Sequence, residues 1–188
     1  MKKFDLKEIL IPTVSLFLIC AIVTLLLAVT NSVTAPKIAE LQIETENKTK
    51  VAVLSDANNF SDAKKVAFNN VDYTYYEGYD EDKNIVGYVF TTSAKGYGGD
   101  IITMVGIKAD GTVAGMDFLS ISETAGLGMN ADADEFKNQF VGKSGEIGVN
   151  KTTSSDTEIQ ALTGATITSK AVTEAVNIAL ELFEEVNG

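Results

Sequence analysis

Histidine and arginine are both missing from this 188-residue sequence, and each absence removes a class of chemistry. Without histidine the chain lacks the commonest general base and transition-metal ligand, and it cannot build Ser-His or Cys-His nucleophile pairs. No metal site is expected. Without arginine, bidentate guanidinium recognition of phosphate is excluded. Tryptophan is also absent, and Cys20 is the only cysteine. A single thiol makes no intramolecular disulfide and cannot hold an iron–sulfur cluster alone. Redox chemistry in such a chain therefore requires an organic cofactor. Positive charge is scarce as well: the net charge is −11 at pH 7, and the acidic residues lie almost entirely beyond residue 39. No basic stripe is available to neutralise phosphates, so nucleic acid is not an expected partner.

One long apolar run is present. Ile9 to Thr30 carries no charge over about 22 residues, which as a helix covers roughly 33 Å against a hydrocarbon core of ~30 Å. Pro12 suits a first turn, where its missing N–H is tolerated. Lys2, Lys3 and Lys7 precede the run and favour a cytoplasmic N-terminus with an external C-terminal domain, while Asp5 and Glu8 count little in that rule. A cleaved signal peptide competes with this reading, but its apolar region is normally about 7–15 residues. Val33-Thr34-Ala35 is a weak cleavage match, and Cys20 follows bulky Ile19, unlike a lipoprotein site. The expected organisation is a cytoplasmic tail at 1–8, a lipid-embedded helix at 9–30, a helical connector at 31–70 and an extracytoplasmic domain at 71–188.

Within the connector, Pro36 suits the first turn of a juxtamembrane helix with a thin apolar stripe (Ile38, Leu41, Ile43), and a short helix is predicted around Ser61 to Phe68. Strands then follow. Asp72 to Tyr76, Ile85 to Thr92, Ile101 to Lys108 and Val113 to Leu119 are rich in β-branched and apolar residues, with turn signals between them. Ala109-Asp110-Gly111-Thr112 reads as a hairpin turn centred on Asp-Gly. Asp132 to Phe140 reads as a helix with Ala133, Phe136 and Phe140 on one face. From Thr168 to Glu185, Val172, Ala175, Val176, Ala179, Leu180 and Phe183 follow the spacing of an amphipathic helix. Packing that stripe on an antiparallel sheet gives an α+β domain.

Three runs exceed what packing needs. Lys95-Gly96-Tyr97-Gly98-Gly99 allows positive φ and close approach of backbone to a ligand, although glycine turns are common. Ser122-Glu123-Thr124-Ala125-Gly126-Leu127-Gly128-Met129-Asn130, a loop after a strand, offers a carboxylate, a hydroxyl, flexible backbone and an apolar finger (Leu127) for a flat ring. Thr163-Gly164-Ala165-Thr166-Ile167-Thr168-Ser169 places four hydroxyls at a helix entrance, where unpaired N–H groups and the helix dipole suit an anion. Lys143 or Lys170 could assist. From the residues alone, this third run reads as a phosphate or anion site.

Thr163 to Thr168 also resembles the flavinylation motif of the FMN-binding domains found in Rnf and sodium-pumping NADH:quinone reductase complexes. The resemblance extends over roughly residues 85 to 180, through Gly96 to Ile101, Val105-Gly106-Ile107, Asp110 to Gly115, Glu123 to Gly128, Phe136, Phe140 and Gly142-Lys143. The single span and the length are similar to the G subunits of Rnf complexes. Ala125, Ile121 and Gln160 stand where the family usually has Pro, His and Asp; the last position bears on recognition by the flavin transferase.

The resemblance implies FMN joined to Thr166 by a phosphoester, with Thr163, Gly164, Ala165, Ile167, Thr168, Glu123, Thr124, Gly126, Leu127, Gly128, Gly96, Tyr97, Gly98 and Lys143 around the cofactor. It implies an electron-carrying subunit rather than an enzyme with its own substrate pocket, maturing through a flavin transferase. Its partners would be the other membrane, iron–sulfur and flavin subunits of a ferredoxin:NAD oxidoreductase coupled to sodium or proton transport. A stand-alone external flavoprotein and a non-redox tethered binding domain are the alternatives.

Overall fold

A computed structural model describes residues 6–187. Lys2, Lys3 and Asp5, on which the expected orientation partly rests, lie outside the described residues. The chain divides into two compact units, Met1–Glu44 and Thr45–Gly188.

The described residues of the first unit, 6–44, are helical. They belong to α1 (Leu6–Val53), which runs without interruption through Pro12 and Pro36. Pro12 thus lies beyond the first turn of α1, and Pro36 lies inside the helix rather than opening a new one, each at the expense of one backbone hydrogen bond. Upstream of Pro36 the hydroxyls of Thr30, Ser32 and Thr34 bond back to carbonyls one turn earlier. Leu16, Phe17, Leu18 and Ile19 are each more than half exposed, so apolar side chains face outward all round the helix. No residue of the most apolar 18-residue window, of mean hydropathy 2.7, is buried in protein. Such a surface is stable only in lipid or against other helices. The chain is a membrane protein, and among the described residues α1 is the one helix long and apolar enough to cross a bilayer.

The second unit is an antiparallel sheet with helices, the α+β class expected from the sequence. Its strands are β1 (Asn59–Phe60), β2 (Lys64–Phe68), β3 (Val71–Tyr79), β4 (Ile85–Lys95), β5 (Asp100–Lys108) and β6 (Val113–Ser120). They lie in the order β1-β3-β4-β5-β6, with β2 also paired to β3. After β6 come a 3₁₀ turn (Gly128–Asp132), α2 (Asp134–Lys137), a short parallel pair β7 (Gly148–Asn150) and β8 (Glu158–Gln160), and α3 (Thr166–Asn187). All six residues of the expected α3 stripe are buried, against Tyr88, Phe90, Ile101, Val105 and Ile107 of the sheet. Ala171, Ala175 and Ala179 keep the helix close enough for the Thr92 hydroxyl to donate to the Ala175 carbonyl at 2.9 Å.

The opposite sheet face holds a smaller core of Val53, Leu54, Ala57, Tyr76, Val89 and Met104. Here the end of α1 meets glycines from four strands. Gly78 pairs with Gly87, and Gly106 pairs with Gly115. A Cβ on Gly106 would lie 2.2 Å from the Val53 carbonyl oxygen, and one on Gly78 would lie 2.6 Å from Leu54 Cδ2. Glu46 accepts from the Tyr76 hydroxyl, and the Lys50 ammonium sits 4.0 Å from the centre of that ring. Burial, then the Glu46 carboxylate, push the Tyr76 phenol above its usual range.

Three expectations are corrected. The helix predicted around Ser61 to Phe68 is strand β2, whose Val66 and Phe68 alternate toward the core. Asn69 and Asn70 both take positive φ (50° and 62°), which turns β2 directly into β3 as a two-residue hairpin. Asp132–Phe140 is not one helix: Ala133 is an exposed, extended link, so Ala131 joins Phe136 and Phe140 in the core instead. In the β5–β6 hairpin, Gly111 (φ +84°) closes the turn by donating to the Lys108 carbonyl, so Asp110-Gly111 is not its centre.

Across the β2–β3 pair, Lys64 Nζ lies 2.6 Å from Glu77 Oε1, and the Tyr79 hydroxyl of β3 donates to the same carboxylate. These bonds, that of Lys64 first, hold Glu77 below the usual carboxylate range. Its contribution to stability is therefore complete above the unfolded value of about 4.3 and is lost as pH falls through the lower folded value. Glu77→Gln should lower Tm at pH 7 and leave it nearly unchanged near pH 2.

Candidate functional site

Antiparallel pairing brings the three unusual runs to one end of the sheet. Lys95 pairs with Asp100 at the Gly96–Gly99 turn, and Ile102 pairs with Ser120 just before the Glu123 loop. α3 begins at the same end. Its entrance is a tight turn in which the Ala165 N–H donates to the Leu162 carbonyl at 3.0 Å, with Gly164 at φ +75°. That φ suits a type II turn and is strained for any side chain, which accounts for glycine there. Ser169, buried within the helix, closes the entrance: its Oγ accepts from the Leu162 N–H and donates to the Ala165 carbonyl. This latch was not read from the sequence, although Ser169 standing four residues after Ala165 was its signal.

Together these segments form a cleft of about 550 Å³. The β4–β5 turn contributes Tyr97 to its lining, the loop after β6 contributes Glu123, Thr124, Leu127 and Gly128, and the entrance of α3 contributes Gly164 to Thr168. Tyr97 (72% exposed), Leu127 (44%) and Ile167 (56%) bring three large, mostly uncovered apolar surfaces into one place. Leu127 Cδ2 approaches to 3.2 Å from where a Gly164 Cβ would stand, so that glycine also makes room for the finger.

The four hydroxyls of the entrance have separate fates. Ser169 is consumed by the latch, and Thr168, buried, donates to Glu123 Oε2 at 3.0 Å. Thr163 is exposed and does not line the cleft. Thr166 lines it, and among the described residues its hydroxyl has no hydrogen-bond partner. It is also the first residue of α3, preceded by Ala165, whose side chain cannot cap the free N–H groups of the first turn. An anion placed there meets unpaired donors and the positive end of a 22-residue helix.

The remaining expected residues are not on the lining. Gly126 sits in the Glu123 loop at φ +77°, while Gly96 and Gly98 lie behind the cleft against Glu123 and Ser122. Lys143 is at the far end of β6, where its carbonyl accepts from Val113 and its ammonium donates to the Ser155 carbonyl. Lys170 borders a different groove with Thr173 and Glu174. Among the described residues the cleft therefore has no cationic side chain, and Glu123 is its one charged residue. Gln160 ends β8 exposed, its backbone bracketed by the Gln139 side chain, which accepts at 2.7 Å and donates at 3.3 Å.

The chain is similar to known proteins over its whole length. The FMN-binding domain model matches residues 96–181, and the RnfG N-terminal region model matches residues 1–49. Over 188 residues the chain is 36% identical to the G subunit of the proton-translocating ferredoxin:NAD(+) oxidoreductase complex of Clostridium ljungdahlii, spanning 100% of this chain and 98% of that one. The chain belongs to the RnfG family. The G subunit of the Na(+)-translocating ferredoxin:NAD(+) oxidoreductase complex of Acetobacterium woodii is 35% identical to this RnfG-family chain over 98% of it and 96% of the relative. A solved structure, the C subunit of the Na(+)-translocating NADH-quinone reductase of Parabacteroides distasonis, is 26% identical with a TM-score of 0.50. The match covers 58% of the RnfG-family chain and 59% of that structure.

Proposed function

We propose that this chain is the FMN-carrying electron-transfer subunit of a membrane ferredoxin:NAD oxidoreductase complex coupled to Na⁺ or H⁺ transport, with the flavin phosphate esterified to Thr166. The observation that carries the attachment point is the Thr166 hydroxyl, unengaged, in the cleft and at the uncapped entrance of α3. The relatives' names support the complex and its two possible coupling ions. The apolar helix α1, with the lysine bias before it, supports a cytoplasmic N-terminus and an extracytoplasmic flavin domain.

The cleft fits FMN in three respects. Tyr97, Leu127 and Ile167 would hold the apolar faces and edges of the ring system, the first-turn amides of α3 would receive the phosphate, and Thr166 Oγ would carry it as an ester. That ester would be formed by the flavin transferase from an activated flavin nucleotide, whose leaving group departs as the hydroxyl gives up its proton. Bound FMN supplies one- and two-electron transfer, and the protein sets its place and electrostatic surroundings. Thr166 retains the cofactor on the external side, where a dissociated flavin would be lost. The unit from Thr45 onward carries eleven lysines against twenty-two acidic residues. Its field disfavours added negative charge on a reduced cofactor. The partners in this reading are the other membrane, iron–sulfur and flavin subunits, with a flavin transferase needed for maturation.

The test is the full chain co-expressed with a flavin transferase and run on a denaturing gel. A fluorescent band, and an FMN-sized mass on the peptide containing Thr166, are expected; a dark band would overturn the reading. Leu127→Ala should keep that fluorescence while shifting the flavin absorption maxima and midpoint potential. If neither moves, Leu127 does not touch the ring.

A further inference from the structure

Several features of the cleft that look like provisions for a ligand converge on one carboxylate. Glu123 Oε1 accepts the backbone N–H of Tyr97 at 2.8 Å and of Gly98 at 3.2 Å, and Oε2 accepts the Thr168 hydroxyl at 3.0 Å. Three bonds thus tie together the turn between β4 and β5, the loop after β6, and the first turn of α3. The glycines beside it follow the same logic. A Cβ on Gly96 would stand 2.2 Å from Oε1, and one on Gly128 would stand 2.6 Å from Oε2 and 2.7 Å from Thr168 Oγ1. A Cβ on Gly98 would stand 2.1 Å from the Ser122 carbonyl oxygen. These residues clear space for the carboxylate and its own loop. No ammonium pairs with Glu123 among the described residues, so its charge is met by two amides and a hydroxyl from two separate segments.

We propose that Glu123 is a positioning residue: its carboxylate assembles the cleft from three segments and holds the Tyr97 turn against the first turn of α3, setting where Tyr97 and Thr166 face one another. In its consequence for flavin this rests on the functional reading above, but the assembly itself does not. A carboxylate has room for about four hydrogen bonds. Three of those places are taken inside the protein, so Glu123 acts on the cofactor through the backbone it holds.

The test separates the two readings by using the full-length chain in nanodiscs, made without a flavin transferase. Amide hydrogen exchange is followed at 96–99, with β4 and β5 as internal reference. Glu123→Ala should speed exchange at 96–99 by about tenfold or more, as expected for loss of a charged acceptor, and leave the central strands unchanged. Glu123→Gln, which keeps an acceptor oxygen, should restore most of the protection. Gly96→Ala drives a methyl to 2.2 Å from Oε1 and to 2.9 Å from Ile101 Cδ1. It should speed the same amides, and most of this added effect should vanish in the Glu123→Ala background, leaving only the part due to Ile101. If Glu123→Ala fails to fold, Glu123→Gln and the single Gly96→Ala variant, each read against wild type, carry the test. In flavinylated protein, Glu123→Ala should lower flavin fluorescence anisotropy and Glu123→Gln should not.

Unchanged exchange at 96–99 in both Glu123→Ala and Gly96→Ala would overturn the proposal, even where the gel band fluoresces. Equal shifts of flavin potential in the Ala and Gln variants, with unchanged exchange, would overturn it in favour of direct contact. A dark gel band with altered exchange would overturn only the flavin reading and leave the assembly role standing.

Discussion

Thr166→Ala should abolish covalent flavin fluorescence completely while leaving the melting curve within about 0.5 kcal/mol of wild type. The first half follows from the sorting of the hydroxyls. Thr168 and Ser169 spend theirs on Glu123 and on the turn before α3, and Thr163 lies off the cleft, so Thr166 alone combines access with an available oxygen. The second half follows from the same fact, because a side chain with no partner takes no hydrogen bond with it when removed. The variant should also fail to keep FMN by ordinary binding. With no arginine in the chain and no cation on the cleft, only backbone amides face the phosphate dianion, and the one charged neighbour is the carboxylate of Glu123. Dialysis of Thr166→Ala against flavin-free buffer should therefore leave a colourless protein. Fluorescence retained in Thr166→Ala but lost in Thr163→Ala would move the attachment point.

The largest effect on stability is expected at Gly106. Its missing Cβ leaves room for the last residues of α1: a methyl there would stand 2.2 Å from the Val53 carbonyl oxygen and 2.7 Å from its carbon. Both atoms are backbone, so no rotamer change relieves the clash. Either β5 bows or Val53 and Leu54, both almost fully buried, lift from the sheet. Gly106→Ala should cost about 3 kcal/mol, the upper range for overpacking, or a fall in Tm of roughly 6–12 °C for a chain of this size. Gly115→Ala, whose nearest contact would be 3.1 Å, should cost distinctly less. Equal melting temperatures for the two variants would mean that Val53 is not seated between them. Because this trough lies on the face opposite α3, Gly106→Ala should leave the Thr166 end of the sheet flavinylated wherever the protein folds.

Much of the architecture was legible because it is written in local periods. The charge-free run at 9–30 has one stable environment, and the stripe from Val172 to Phe183 repeats every third or fourth residue. Each was read correctly from nearest neighbours alone. The four strands from β3 to β6 follow from runs rich in β-branched, aromatic and apolar residues separated by turn signals. What failed was also local, but weaker. β2 is five residues long, and its lysines and alanine fit a helix as well as a strand; only the Asn69-Asn70 pair, suited to positive φ, marked the hairpin. Ala133 kept helical phase with Phe136 in the sequence, yet an extended backbone there put Ala131 in the core. Within the segment read as a helical connector, the burial of Val53 and Leu54 was not legible, since packing against glycines some 25 to 60 residues away leaves no mark in the segment itself.

The absence of histidine and arginine, the apolar run and the Gly-Ala-Thr core were enough to indicate a membrane protein whose redox chemistry would need an organic cofactor and a place where a phosphate could sit. These are properties of composition and of short segments. Which hydroxyl stays free, why Gly96 and Gly128 have no side chain, and that Lys143 turns to Ser155 at the far end of β6 instead of the cleft were decided only by the fold. Each depends on which distant segments meet at the end of the sheet, and that is set by strand pairing and by the packing of α3.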